Sequence, residues 1–179
     1  MKRVLVPVVL LAVLLSGCST QEKKVEGNLI VRSAFGDGSE IPGEYTCDGM
    51  DVNPPIHIEG LESEVKSLAI IADDPDAPSG VFTHWIAWNI PVTNEIPENI
   101  PKRGAVDRPV KMVQGVNDFG KLGYGGPCPP EGQKHRYFFR IYALDTVLDL
   151  NPGASREELE KAMKGHVIQY GEIYGVYAR

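Results

Sequence analysis

The sequence predicts a mainly β fold, a sandwich of short strands with one α-helix. The 179-residue chain contains 19 Gly and 14 Pro, which interrupt long helices and form turns. Short runs of β-branched, aromatic and other apolar residues recur between those turns. One stretch near the C-terminus combines the signals that begin and end a helix. A hydrophobic content of 42% with 23% charged residues suits a single globular domain.

The predicted strands are short and frequent. The run over 68–72 is continuously apolar, as expected for a strand that is covered on both faces. The run over 137–144 partly alternates around Arg140, and we predict that both runs lie centrally in a sheet. The full set of predicted strands is 29–33, 56–58, 68–72, 84–90, 111–113, 137–144 and 167–177.

The predicted helix covers residues 156–164. Ser155 and Glu158 have the spacing of a capping box, in which each side chain satisfies a backbone N–H at the helix start. Gly165 is placed to end the helix, because glycine adopts the left-handed conformation that commonly closes a helix.

A long connection over 114–134 stands out among the loops. It is rich in glycine and proline, and it carries Phe119, Leu122 and Tyr124, which are able to pack against a core. Loops of this length in a compact domain are usually either functional or disordered. The aromatic residues favour an ordered, functional loop.

The N-terminus has the pattern of a signal peptide. Lys2 and Arg3 are followed by an apolar run over 4–15 and then by small residues. The run is shorter than the roughly 20 apolar residues that cross a bilayer, which argues against a retained transmembrane anchor. We therefore predict a signal peptide over 1–17 that is removed from the mature protein.

Leu15, Ser16, Gly17 and Cys18 resemble the lipobox of lipoproteins. In that motif the Cys thiol is alkylated by diacylglycerol and becomes the mature N-terminus. The alternative is an ordinary signal peptide with a cysteine present by chance. The lipobox predicts a lipidated tether over 18–27, a folded domain over 28–179, and anchoring on the extracytoplasmic face of the cell membrane.

Two further cysteines, Cys47 and Cys128, belong to the predicted domain. In an oxidising compartment they either form a disulfide or remain as two buried thiols. Neither lies in a CxxC motif or beside a histidine at ligand spacing, so we predict no metal site.

Composition and motifs exclude several function classes. The chain has 24 acidic and 18 basic residues, and no cluster of Lys or Arg forms the stripe that a phosphate backbone requires, so nucleic acid is excluded as a partner. There is no GxSxG, HExxH or Walker motif, and we predict no catalytic residue.

Polar residues stand at the ends of the predicted central strands. Asp74 and Asp76 follow the buried apolar run, where prolines make the backbone rigid, although a solvated turn has the same composition. His84 and His135 each precede an aromatic strand. If these strands are neighbours, both imidazoles and the Tyr137 phenol converge at one sheet edge, with the carboxylates behind them.

The most specific stretches of the chain are Asp74-Pro75-Asp76-Ala77-Pro78, His84-Trp85, and Gly125-Gly126-Pro127-Cys128-Pro129-Pro130 followed by His135-Arg136-Tyr137. Together they resemble the phosphatidylethanolamine-binding protein family in its bacterial and archaeal branch, over 27–179. The resemblance implies two antiparallel sheets with few helices and a small cavity at one end of the central sheet. Family members bind phosphate-like anions and phospholipid headgroups there.

The resemblance also implies a set of site residues and a backbone feature, a cis peptide bond before Pro78. We expect Asp74 or Asp76 to orient a histidine and raise its pKa, and Gly126 to let the loop backbone approach closely. The implied ligand-binding residues are Asp74, Asp76, Pro78, His84, Gly126, His135 and Tyr137.

We expect a non-catalytic, membrane-tethered protein that binds a small phosphorylated or otherwise anionic ligand and uses no cofactor. Because family members also inhibit kinases and serine proteases, the alternative is a protein-interaction module that inhibits an exported protease or another enzyme. A third alternative is a phosphate-ester hydrolase, which His and Asp side chains alone would permit. The sequence leaves both a monomer and a homodimer open.

Overall fold

The computed structural model describes residues 29–179, which form two antiparallel sheets and one α-helix. The predicted signal peptide, Cys18 and the tether lie outside the described residues. The strands are β1 Ile30–Ser33, β2 Ile56–Glu59, β3 Ser67–Asp74, β4 Phe82–Ile90, β5 Glu95–Ile96, β6 Ala105–Val106, β7 Met112–Gln114, β8 Lys134–Leu144 and β9 Val167–Ala178; the helix is α1 Arg156–Met163, and Gly43–Tyr45 form a 3-10 turn.

The larger sheet has the strand order β6-β7-β4-β3-β8-β9, so β3 and β8 are interior strands, as predicted. All eight residues of β3 are buried. Ile70 on one face belongs to the core between the two sheets, and Ile71 on the other face belongs to a second core beneath the helix. Burial on both faces is the physical reason for the unbroken apolar run.

The smaller sheet, of order β1-β2-β5, covers one face of the larger sheet. Apolar side chains alternate inward along β2, where Ile56 and Ile58 are fully buried. They pack in the same core as Trp85 and Phe139 of the larger sheet. The two facing sheets confirm the predicted mainly β sandwich.

Helix α1 packs on the opposite face of the larger sheet. The predicted capping box is present, because Ser155 accepts the Glu158 backbone N–H and the Glu158 carboxylate accepts the N–H of Ser155. Leu159 and Met163 bury against the second core. Buried Asp73 of β3 pairs with Arg156 at the helix start, at 2.9 Å, and with Arg140 of β8, at 3.1 Å. No helix within 29–179 is long and apolar enough to cross a bilayer.

All predicted strands and the helix are present, and the structure adds two short strands, β5 and β6, of two residues each. One backbone prediction is wrong. In the described part of the chain the cis peptide bond joins Arg108 to Pro109, and the bond before Pro78 is trans. Pro78 is the second residue of a turn in which Gly80 N–H donates to Ala77 O at 3.0 Å, a position that trans proline favours.

Candidate ligand-binding site

The predicted site residues gather where three strands of the larger sheet meet. Asp74 is the last residue of β3, whereas His84 and His135 lie near the starts of β4 and β8. Because β3 pairs antiparallel with both neighbours, the end of β3 adjoins the beginnings of β4 and β8. The two histidine strands are therefore separated by β3, not adjacent to each other.

A cavity of about 290 Å³ opens at this end of the sheet, and we call it the first cavity. Asp74, His84 and His135 form its polar side, and most of its remaining surface is apolar. The lining residues are Asp74, Ala77, Pro78, Ser79, Phe82, His84, Phe119, Cys128, Pro129, Pro130 and His135.

His135 is held by a buried ion pair with Asp74. Their Nδ1 and Oδ2 atoms are 2.7 Å apart, and each side chain is only 5% exposed. The other ring nitrogen, Nε2, lies 3.1 Å from Gln133 Oε1. Both ring nitrogens therefore have an oxygen atom within hydrogen-bond distance, which fixes the orientation of the ring. Asp74 Oδ1 also accepts the Asp76 backbone N–H at 2.8 Å, so one carboxylate fixes both the histidine and the turn.

His84 has a different environment. Its Nδ1 lies 2.7 Å from Gly125 O, and because a carbonyl only accepts, Nδ1 carries the proton. This tautomer leaves Nε2 available to a ligand. Burial lowers the pKa of His84 below its usual 6.5, against smaller opposing effects of the Gly125 carbonyl and the Asp74 charge. The expectation of a raised pKa is therefore wrong for His84, whose hydrogen-bond partner is a carbonyl, not a carboxylate.

Tyr137 lies between the two imidazoles but does not line the first cavity. Its ring centroid is 5.2 Å from that of His84 and 6.5 Å from that of His135. The hydroxyl is buried and makes no hydrogen bond of ordinary geometry within 29–179. Burial, and then the nearby Asp74 charge, raise the pKa of Tyr137 well above its usual value, so the phenol stays protonated. Tyr137 thus supports the two histidine rings from behind.

Asp76 does not reach either histidine. Its carboxylate accepts two hydrogen bonds from the Arg136 guanidinium, at 2.8 and 2.6 Å, and one from the Arg136 backbone N–H at 3.0 Å. The guanidinium lowers the pKa of Asp76 to about 2. The predicted orienting role therefore belongs to Asp74 alone.

Gly126 lies outside the first cavity. Its N–H donates to Asp51 Oδ1 at 2.6 Å. A Cβ on Gly126 would approach Tyr45 O to 2.6 Å and Thr46 Cα to 2.8 Å. The close approach that this glycine allows is thus to the backbone of 45–46, and Gly126 does not contact a ligand in the first cavity.

Cys47 and Cys128 form a disulfide with a Cα–Cα distance of 5.4 Å. Cys128 lines the first cavity, and Cys47 N–H donates to Pro127 O at 3.1 Å. The disulfide therefore fixes the Gly-Pro segment that forms one wall. Within the described residues no three His, Cys, Asp or Glu side chains are placed to hold a metal ion.

A model of the phosphatidylethanolamine-binding protein family matches residues 31–178. The chain belongs to this family. A UPF0098 protein of Pyrococcus horikoshii is 61% identical, over 98% of this chain and 89% of its own length. A solved phosphatidylethanolamine-binding protein homologue from Chlamydia trachomatis has a TM-score of 0.76 at 38% identity, covering 84% of this chain and 97% of that one. Escherichia coli YbcL, described as a member of the mammalian family, has a TM-score of 0.76 at 30% identity and coverages of 84% and 98%.

In this member of the phosphatidylethanolamine-binding protein family, sequence reasoning missed the apolar walls of the first cavity. Phe82 and Phe119 have ring centroids 4.7 Å apart and meet edge to face. The ring centroids of Phe119 and His84 are 5.4 Å apart, and Phe119 is 44% exposed. The aromatic residues of the long 114–134 loop were the feature of the sequence from which these apolar walls could have been predicted. That loop supplies Phe119, Cys128, Pro129 and Pro130 to the first cavity.

The arrangement is chemically suited to holding an anion. The carboxylates of Asp74 and Asp76 are already paired, with His135 and Arg136, and the Asp118 carboxylate, whose charge also acts on His84, accepts the Thr83 backbone N–H at 2.6 Å. His84 is the remaining titratable group of the lining, and protonation adds positive charge there. Apolar walls reduce competition from water, which strengthens a charge-assisted hydrogen bond inside the first cavity.

Proposed function

We propose that this protein is a non-catalytic, lipid-tethered binding protein that holds a small phosphorylated or otherwise anionic ligand in the first cavity, on the extracytoplasmic face of the membrane. The observation on which the proposal depends is that the carboxylates of Asp74 and Asp76 are both paired with cationic side chains. Asp74 is bound to His135 and Asp76 is bound to Arg136. His84 is therefore the titratable lining residue that remains to form a charge-assisted hydrogen bond with an anionic ligand.

The apolar part of the lining supports a ligand that is small and compact. Phe82, Phe119 and the prolines surround the polar side of a cavity of about 290 Å³. A site of this kind fixes orientation through a few polar groups and gains affinity from the area that it buries. The phosphate of an ester would lie at His84, and its organic part would contact the rings.

The absence of an activated nucleophile supports binding without catalysis. Ser79 is the hydroxyl side chain of the cavity lining. In the described part of the chain it makes no hydrogen bond to His84 or His135, whereas a catalytic serine requires a base within hydrogen-bond reach.

Affinity for inorganic phosphate is expected to fall as pH rises. The free protein holds His84 neutral near pH 7, because burial lowers its pKa. When the phosphate dianion binds, one proton is taken up and shared between His84 Nε2 and a phosphate oxygen, so the affinity falls by up to about tenfold per pH unit above the second pKa of phosphate. The phosphate monoanion brings this proton itself, so the affinity changes little below that pKa. Calorimetric titration with phosphate between pH 6 and pH 8 measures this slope. An affinity that stays constant above that pKa would show that no proton is shared between His84 and phosphate.

Variants test the same proposal. We expect His84→Ala to abolish phosphate binding and Tyr137→Phe to weaken it less, since Tyr137 acts from behind the rings. His166→Ala is the matched control, because His166 is exposed and pairs with Asp145 away from the first cavity. If His84→Ala still binds phosphate, the ligand lies elsewhere. Catalysis is tested separately: release of phosphate from p-nitrophenyl phosphate by the wild-type protein would contradict a non-catalytic role.

The tether proposal rests on Cys18 and the apolar run before it. Two acyl chains hold a protein at a membrane firmly, because each buried CH₂ contributes about 0.8 kcal/mol. The wild-type protein is expected in the membrane fraction and Cys18→Ser in the soluble fraction after cell lysis. An unchanged distribution of Cys18→Ser would disprove lipidation at this residue.

A further inference from the structure

A second cavity of about 400 Å³ lies beside the first and shares two wall residues with it, Phe119 and Cys128. We call it the second cavity. None of the residues predicted from sequence to bind a ligand lines it except Gly126. Its lining residues are Cys47, Asp51, Lys102, Asn117, Phe119, Lys121, Tyr124, Gly125, Gly126 and Cys128.

The wall between the two cavities is formed by the ring of Phe119 and by the disulfide of Cys128. The Phe119 ring is held by edge contacts with Phe82 and His84, at centroid distances of 4.7 and 5.4 Å. A Cβ on Gly125 would lie 2.7 Å from the Phe119 ring, so glycine at that position lets the ring pack closely. Phe119 is 44% exposed, so the boundary between the two cavities lies at the protein surface.

The second cavity carries a local excess of positive charge on an acidic protein. Lys102 Nζ pairs with Asp51 Oδ2 at 2.5 Å, and Asp51 Oδ1 accepts the Gly126 N–H at 2.6 Å. Both Asp51 oxygens are therefore engaged. Lys121 forms no ion pair within 29–179, and it faces no other carboxylate among the lining residues. Among the side chains that line the second cavity, two ammonium groups and one carboxylate leave one positive charge in excess.

The other polar side chains of the second cavity are occupied by the protein itself. Asn117 donates to Gly123 O at 2.8 Å and accepts the backbone N–H groups of Phe119 and Lys121, each at 3.1 Å. The Tyr124 hydroxyl donates to Tyr45 O at 2.8 Å. The lysines are thus the groups that remain for a ligand, and they select an anion.

We propose that the natural ligand has two anionic ends, one held in the first cavity and one held by Lys121 and Lys102 in the second cavity. This proposal rests on the proposed function for the first end. The middle of the molecule crosses the exposed edge of Phe119. The ligand class is a small phosphate ester that bears a second phosphate or a carboxylate, and a single inorganic phosphate fills only half of the site.

Two-ended probes test this proposal on the full-length protein in detergent. The probes are α,ω-alkanediol bisphosphates of increasing chain length, each compared with the alkyl monophosphate of the same length and with inorganic phosphate. At the length that spans the wall, the bisphosphate is expected to bind about tenfold more tightly than its monophosphate, because the second contact forms within the complex.

Lys121→Gln identifies the second contact. Since Lys121 has no ion-pair partner in the described chain, its neutralisation leaves no carboxylate without its partner. We expect the variant to lower the bisphosphate advantage about threefold while inorganic phosphate binds as before. Lys161→Gln, on the exposed side of α1, is the matched control and leaves the advantage intact.

The outcomes separate the two proposals. Equal affinity of bisphosphates and monophosphates at every length, with phosphate still bound, overturns the two-ended ligand and keeps the proposed function. The two-ended ligand is also overturned if Lys161→Gln lowers the advantage as much as Lys121→Gln. Failure of inorganic phosphate and every probe to bind overturns both proposals together.

Discussion

Replacing His135 by alanine is expected to lower the free energy of unfolding by about 3 kcal/mol near neutral pH. The substitution leaves the Asp74 carboxylate buried, with its 2.7 Å partner removed and 5% of its side chain exposed. A charge in that position retains the hydrogen bond from Asp76 N–H, which offsets only part of the lost hydration. Urea unfolding followed by circular dichroism measures the loss.

A second variant separates the buried charge from the lost ring. Adding Asp74→Asn to His135→Ala removes the carboxylate but keeps an oxygen that accepts the Asp76 N–H. We expect the double variant to be about 1 kcal/mol more stable than His135→Ala. A double variant no more stable than His135→Ala would show that the unpaired carboxylate is not the source of the loss.

The surface pair of His166 and Asp145 provides the comparison for this effect. Their Nδ1 and Oδ1 atoms are 2.9 Å apart, close to the distance in the site pair, but the His166 side chain is 47% exposed. Solvent screens such pairs, so His166→Ala is expected to change the unfolding free energy by less than about 0.5 kcal/mol. Burial, not pair distance, accounts for the difference between the two histidines.

The position of the site could be predicted in part, because its polar residues lie at or near the ends of strands. The sequence placed His84 and His135 together on the condition that their strands are neighbours, which is wrong, because β3 lies between them; the two histidines still meet, since the end of β3 at Asp74 adjoins the beginnings of both strands. The continuous apolar run of β3 indicated its central place. The short strands β5 and β6 were missed, because two residues show no periodicity.

The roles of individual site residues were harder to predict, because they depend on competing partners. Asp76 has the same side chain as Asp74, but the guanidinium of Arg136 takes both of its oxygens. Gly126 N–H is taken by Asp51, which lies 75 residues earlier in the chain. Such contacts depend on how side chains from distant parts of the chain are placed in the fold, so they cannot be predicted from the spacing of residues in the sequence.

Removing the Cys47–Cys128 disulfide is expected to be the other large change, with a loss of about 3 to 4 kcal/mol in unfolding free energy. The bond joins residues 81 positions apart, so its removal frees a long loop in the unfolded chain. The double variant Cys47→Ala/Cys128→Ala is the test, because it leaves no free thiol at either position. Urea unfolding of this variant and of the oxidised wild type, under the same conditions, measures the difference.

The same variant is expected to weaken phosphate binding, since Cys128 belongs to the walls of both cavities. The Gly-Pro segment keeps the hydrogen bond from Cys47 N–H to Pro127 O, so the wall loosens without leaving its place. If stability falls but the affinity for phosphate is unchanged, the disulfide acts only by restricting the unfolded chain and does not shape the site. A loss of affinity that exceeds the fraction of unfolded protein would show that the bond also pre-organises the site, because a mobile wall must be ordered again when the ligand binds.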